Sequence, residues 1–368
     1  MDGLNLSLLA IILLFCCGLN LNSADTYYCK GNNRYGTCLL YENCTSPDIV
    51  RNNADCQRSG LSGDVVCCLR RKRRPGRRIT KTATILENEA LNSLGLALLN
   101  QHNCGRMGND RLFNGVDAML GEFPWMAILL NSQKNTMCGG SVITNRFVLT
   151  AAHCIRSELQ FVRLGEHDLS TEEDCLSINL CQTYVDFGID PMQQPLIHPD
   201  YDTVSKYKDV ALIKLDRDID FQVHHHIKPI CLPTSRSDYA MLPTQDLMLA
   251  GWGLTEANDV RGSDILQTGH VKLEALDICQ KLYSKYNIGI SKICVMSGAN
   301  RTVSCQGDSG SPIFWATSYL NVEFWQKRYT QIGLVSLGSK ECGRLTSIPY
   351  PYENVTDAMP WITNTILR

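Results

Sequence analysis

Three absences narrow the reading before any motif is considered. Nowhere in the 368 residues is there an apolar stretch long enough to cross a bilayer. Neither sign of charge is in excess: 35 Lys and Arg stand against 37 Asp and Glu, a formal charge of -2, which leaves no bulk attraction to nucleic acid or to an anionic membrane. Cys-x-x-Cys pairs and His-Cys clusters at zinc spacing are missing too, so thiolate metal binding is a poor account of the 18 cysteines.

What is present points to export. The apolar run LLAIILLFCC at 8–17 is too short to span, and Ser23 and Ala24 follow at a plausible cleavage point, so residues 1–24 read as a secretory signal peptide. Asp2 sits in an n-region without Lys or Arg, which leaves a short membrane anchor as the alternative. Removing Cys16 and Cys17 with the signal leaves 16 cysteines, an even number, and in an oxidising compartment all are expected to pair. Sequons at Asn43, Asn300 and Asn354 fit a secreted, extracellular protein and predict surface loops at those positions.

The chain changes character along its length. Six cysteines, at 29, 38, 44, 56, 67 and 68, crowd residues 25–68, a module too small to hold itself together by an apolar core, and spacing alone leaves many pairings open. In RRKRRPGRR, at 70–78, seven of nine positions are basic. This exposed linker reads as a solvated charge run, a processing site at RKRR or a polyanion-binding patch. Leu86, Ala90, Leu91, Leu94 and Leu98 predict a short helix within 83–100. Beyond it, short β-rich segments such as GGSVITNRFVLT, DVALIKL and YTQIGLVSL predict an all-β sandwich or barrel, closed by a helix-like VTDAMPWITNTI.

Three short motifs in this region carry chemistry. Acyl transfer by serine needs a nucleophile, a base, a carboxylate that orients the base, and donors for the oxyanion. LTAAHC offers His153, DVALIKL is opened by Asp209, and GDSG offers Ser309, with the backbone N–H groups of Gly307 and Ser309 as oxyanion donors. In LGEHDLSTEEDC, 164–175, Glu166, Asp168, Glu172, Glu173 and Asp174 concentrate oxygen ligands without a Lys or Arg among them. The plain reading is a solvated acidic loop. The run His224, His225, His226 is read as a surface segment of a strand, whose successive side chains would face opposite ways.

With these motifs in order, residues 112–368 resemble a chymotrypsin-family protease domain, and the six-cysteine module with its final Cys67-Cys68 pair resembles the clip domain of arthropod serine proteases. The whole is similar to clip-domain proteases of the insect Toll or melanisation cascades, of the Grass and Easter type. The resemblance implies a double β-barrel behind a small disulfide-rich clip domain, with residues 69–111 as basic linker and activation peptide. It implies the bonds Cys29–Cys67, Cys38–Cys56, Cys44–Cys68, Cys104–Cys231, Cys138–Cys154, Cys175–Cys181, Cys279–Cys294 and Cys305–Cys342. It implies activation by a cut at Arg111-Leu112, after which the new amino group of Leu112 pairs with Asp308, and an oxyanion loop misplaced until then.

The same resemblance implies structural Ca²⁺ held by Glu166, Asp168, the Thr171 carbonyl and Asp174. It places Val303 at the floor of the specificity pocket, where Arg-cutting relatives carry Asp, with Ser304, Ser336 to Gly338 and Tyr350 as walls. A small or medium apolar P1 residue is therefore expected in place of Arg or Lys. The implied partners are a protein substrate, either a downstream zymogen or a cytokine-like precursor, an upstream Arg-specific activating protease and a serpin. The alternative is a weak or inactive homologue acting as a clip-domain adaptor, which Ser311 in GDSGSP, at a position usually Gly, keeps open.

Overall fold

In the computed structural model the chain divides into two compact units, residues 1–87 and 88–368. The described residues are 91–107, 117–177, 180–234, 247–255, 261–297, 304–321, 324–338 and 348–368, less the side chains of 317–327, together with a few segments of the first unit. In that unit β1 (Tyr28–Gly31), β2 (Arg34–Leu40), β3 (Ile49–Val50) and β4 (Val65–Leu69) form an antiparallel sheet in the order β1-β2-β4-β3. Cys56 and Cys67 are buried and disulfide-bonded.

The second unit holds two sheet systems. The first is a seven-stranded antiparallel sheet in the order β11-β8-β5-β6-β7-β13-β12. Its strands are β5 (Met126–Asn131), β6 (Thr136–Val142), β7 (Phe147–Thr150), β8 (Leu159–Leu164), β11 (Val185–Gly188), β12 (Leu196–Ile197) and β13 (Ala211–Lys214). A hairpin of β9 (Glu173–Ser177) and β10 (Leu180–Thr183) stands apart from it. The second system is a closed barrel of β14 (Leu247–Gly251), β15 (Gln267–Glu274), β16 (Lys292–Ser297), β19 (Tyr350–Asn354), β18 (Phe324–Leu334) and β17 (Pro312–Asn321), in that order.

Strands such as MAILL and ALI are apolar throughout because both their faces are covered. Between the two systems Trp125, fully buried, meets Phe314 edge-on at 5.4 Å, while Phe123 meets the same Phe314 ring tilted at 5.2 Å and Tyr329 meets it edge-on at 5.8 Å. Truncating Trp125 to Ala would cost about 3–5 kcal/mol.

Helix α1 (Ser93–Leu99) lies within the predicted span, of which residues 83–90 are outside the described residues. Asn92 stops it on the N-terminal side: its own backbone is extended, and its side chain accepts the amides of Leu94 and Gly95. The helix docks on the C-terminal helix so closely that a Cβ on Gly95 would lie 2.0 Å from the Thr363 carbonyl oxygen. A second short helix, α2 (Leu276–Leu282), is joined to β16 by the Cys279–Cys294 disulfide. The C-terminal helix α3 (Val355–Thr365) is capped by Asn354, whose Oδ1 accepts the Thr356 amide while Nδ2 donates to the Ile290 carbonyl. Asn354 is therefore the end of β19 and a helix cap, where the sequon had predicted a surface loop.

The triple histidine also differs from its expectation. Residues 221–226 form turns and a bend, not a strand, and His226 folds back half-buried with Nε2 3.0 Å from the Thr183 carbonyl oxygen. Alternation across a strand has no bearing on a segment that turns. Among the described residues no helix is long and apolar enough to cross a membrane.

Candidate active site

His153 leaves β7 on one 3-10 turn, Ala152–Cys154, which the Cys138–Cys154 disulfide pins to β6. Its ring Nδ1 lies 2.7 Å from Asp209 Oδ2, and its backbone N–H donates to Asp209 Oδ1 at 2.9 Å. Both oxygens of one carboxylate thus hold the same histidine. Asp209 is completely buried ahead of β13, on a loop where Lys206 and Lys208 take positive φ of 56° and 52°. The Lys208 ammonium is tied to Asp357 of α3, which steadies that left-handed turn. Burial pushes the Asp209 carboxyl up, but the His153 hydrogen bond, the charges of His153 and Lys292 and the Ser336 hydroxyl together bring it below the ordinary carboxylate range.

Ser309 sits in the loop that enters β17. Gly139 donates its amide to the Ser309 carbonyl at 2.8 Å, and Gly310 donates to Val335 at 2.8 Å, so the loop is stitched to both sheet systems. Gly310 has φ of 79°, and a Cβ there would stand 2.3 Å from Thr150 Oγ1. Gly307, at φ of 103°, is likewise in a region that side chains avoid. Among the described residues neither the Gly307 nor the Ser309 amide donates to a protein acceptor. Ser311 fits because Gly139 lacks a side chain, whose Cβ would come 2.1 Å from the Ser311 hydroxyl.

The loop from Gly307 to Ser309 has a further anchor in the residue between them. Asp308 holds it by accepting the amides of Gly253 at 2.9 Å and Cys305 at 2.8 Å. Burial pushes this carboxyl up to about 6 despite those two donors. No cation among the described residues pairs with it.

Of the residues expected to line the specificity pocket, Ser304 is buried with its hydroxyl against that of Tyr352, whose phenol burial raises. A Cβ on Gly338 would meet Ser304 Oγ at 3.6 Å, so these two residues stand close. Tyr350 is buried two residues before Tyr352 on β19, with its ring 6.2 Å from that of Tyr283. Ser336, expected only as a pocket wall, donates its hydroxyl to Asp209 Oδ2 at 2.6 Å. The strand segment YTQIGLVSL gave no signal for that contact, which joins residues 127 apart.

In the acidic loop Glu166 is buried and raised to about 7 by burial, opposed by the His167 amide and the charge of Arg163, with the Asp174 charge adding to the rise. Asp168 donates its amide to Asp174 Oδ2 at 3.3 Å, and Thr171 donates its hydroxyl to Asp174 Oδ1 at 2.6 Å. These oxygens fit a hard cation in donor type. Arg163 already bonds Glu166 at 3.1 Å, which supplies part of the positive charge the loop requires.

Disulfides join Cys104 to Cys231, Cys138 to Cys154, Cys175 to Cys181 and Cys279 to Cys294. Cys305 is disulfide-bonded. Arg111, Leu112, Val303, Cys44, Cys342, Asn43 and Asn300 lie outside the described residues, as do residues 1–24, 70–90 and the side chains of Cys29, Cys38 and Cys68.

Residues 112–362 match the Trypsin family. The chain belongs to that family. This trypsin-family chain is 36% identical over 288 residues to serine protease grass of Drosophila melanogaster, covering 75% of this chain and 73% of that protein. It is 32% identical over 377 residues to phenoloxidase-activating factor 3 of Holotrichia diomphalia, covering 97% and 99% of the two. The crystal structure of Drosophila Grass, a clip serine protease of the Toll pathway, superimposes with a TM-score of 0.64 at 36% identity, over 75% of this chain and 78% of that one. Its relatives are thus insect clip-domain serine proteases, and its fold is that of chymotrypsin.

Proposed function

We propose that this trypsin-family chain is the zymogen of a secreted serine endopeptidase that cuts a protein substrate in an extracellular cascade of the innate-immune type. Ser309 Oγ attacks the scissile carbonyl as its proton passes to His153, and His153 later returns the proton to the leaving amine. Asp209 fixes the ring and stabilises the imidazolium, while the Gly307 and Ser309 amides receive the oxyanion. The observation that carries this reading is the two-point grip of Asp209 on His153, at 2.7 and 2.9 Å, beside two amides that have no acceptor among the described residues.

Cleavage after Arg111 frees the Leu112 amino group, whose positive charge is the partner that the buried Asp308 carboxylate lacks among the described residues. An Arg-specific protease performs the cut and a serpin ends the activity. Ca²⁺, when bound, is held by Glu166, Asp168, the Thr171 carbonyl and Asp174, and its chemistry is structural, tying one loop together.

The test is to cut purified protein at Arg111 with trypsin, remove the trypsin, confirm Leu112 as the new N-terminus and assay fluorogenic peptides varied at P1. Turnover that is absent from Arg111→Gln and from Ser309→Ala is expected. Full activity in uncut Arg111→Gln would sink the zymogen, and no turnover of any peptide by the cut protein would favour the adaptor.

A further inference from the structure

The barrel that presents Ser309 carries a charge pair where strand interiors are normally apolar. Lys292 on β16 and Glu353 on β19 are directly opposed in register, and both side chains are wholly buried. Lys292 Nζ donates to Glu353 Oε2 at 2.6 Å and to Ser336 Oγ at 3.2 Å. The same Glu353 Oε2 accepts the backbone N–H of Asp209 at 3.1 Å.

As a stabilising device this pair is poorly built. Buried ion pairs seldom gain more than they lose in desolvation, and here Glu353 Oε1 has no hydrogen-bond partner among the described residues. Its contacts instead converge on one residue. Because Lys292 donates to Ser336 Oγ, that oxygen must accept there, and its own proton is left to point at Asp209 Oδ2, 2.6 Å away. Glu353 fixes the other end of the same residue, its amide. With His153 on both carboxylate oxygens, every polar handle of Asp209 described above is then engaged.

We infer that Lys292 and Glu353 are positioning residues for the catalytic carboxylate: Lys292 orients the Ser336 hydroxyl onto Asp209 and offsets its charge, and Glu353 anchors its backbone. This rests on the catalytic reading of His153, Asp209 and Ser309. The charged and titratable groups facing Asp209 are His153, Lys292, Glu353 and the phenol of Tyr201, while the Lys208 ammonium is turned to Asp357.

A charge cycle tests it on the cut, full-length protein. In Lys292→Met two buried carboxylates lose their shared cation. We expect kcat to fall about tenfold or more with KM little changed, and the acid limb of kcat/KM to move up by roughly one pH unit, since extra negative charge favours the protonated base. Glu353→Gln leaves Lys292 unpaired and should move that limb down. The double variant Lys292→Met/Glu353→Gln, net neutral, should return the limb to within a few tenths of a unit of the parent and still fall short in kcat. It also serves if either single variant fails to fold.

The same cycle read in a Ser309→Ala background, from the pH titration of the His153 ring signals by NMR, needs no turnover and separates failure of this inference from failure of the enzymatic reading. Folded variants whose pH limbs and ring titrations superimpose on the parent, with only the melting temperature changed, would reduce the pair to a structural feature and overturn the inference. A double variant with parental kcat would overturn it as well.

Discussion

Asp308 lies so close to Gly253 that its carboxylate accepts that residue's amide at 2.9 Å and would stand 2.5 Å from any Cβ placed there. The carboxylate is sealed in, and burial lifts it from an ordinary 3.8 to about 6. Between those values the folded protein holds this proton more often than the unfolded chain, so stability falls as pH rises through about 6. In order of magnitude that difference is worth about 3 kcal/mol. In intact protein, Asp308→Asn should therefore be more stable than the parent at pH 8, and the gap should close toward pH 4. After the cut at Arg111 the sign should reverse, because the Leu112 ammonium then favours the charged form. Calorimetry of both proteins, cut and intact, decides it, and a gap independent of pH in the intact pair would refute the argument.

Cys104 and Cys231 are bonded across a site where Gly105 donates its amide to Pro229 and accepts that of Tyr329. The segment ahead of Arg111 is thus fastened to the protease domain. Cut protein should migrate as one species without reductant and as two with it. Two chains separating on a non-reducing denaturing gel would contradict this.

The motifs that bear the chemistry were legible because each is local: Ala-Ala-His-Cys and Gly-Asp-Ser-Gly announce themselves within a few residues. The Lys292 and Glu353 pair was not, since nothing within KICVMS or YPYEN marks the end charge as buried, and only barrel register sets residues 61 apart side by side. Ser336 failed to signal for a related reason: a serine at the end of an apolar strand is unremarkable until Asp209 is known to lie beneath it. His224–His226 misled because a strand was assumed where Asp220 caps a turn by accepting the amides of Gln222 and Val223. Helix α1 begins at Ser93 because the Asn92 side chain caps it there, a local signal that leucine periodicity does not carry.

Calcium should stabilise the protein more at pH 8 than at pH 6. A hard cation needs Glu166 ionised, and burial holds that carboxyl at about 7, so protons compete with the metal across this window. Saturating Ca²⁺ at 100 times Kd is worth about 2.7 kcal/mol. The rise in melting temperature on replacing EDTA by Ca²⁺ should grow with pH and vanish in Asp174→Ala. Equal melting temperatures with Ca²⁺ and with EDTA at pH 8 would dismiss the site.

The final prediction concerns what enters the pocket. Position 303, six residues before the nucleophile, is Val where an Arg-cutting pocket carries a carboxylate. Ser304, Ser336, Gly338 and Tyr350 offer no negative charge either. Ser304 is buried against the Tyr352 hydroxyl, and its approach to Gly338 leaves a narrow gap. Enclosing an Arg guanidinium there without a counter-ion would cost several kcal/mol, whereas a small or medium apolar side chain gains up to about 3 kcal/mol on transfer. The cut enzyme should prefer Ala, Val or Leu at P1 over Arg by more than about tenfold in kcat/KM, the ratio that about 1.4 kcal/mol supplies. It should then be unable to cut its own Arg111 efficiently, so that purified zymogen stays intact when a trace of active enzyme is added. Val303→Asp should shift the ratio toward Arg by about tenfold or more if position 303 sets the floor. Rapid hydrolysis of Arg peptides by a trypsin-free preparation would overturn the preference, and a Val303→Asp variant with unchanged selectivity would move the floor of the pocket elsewhere.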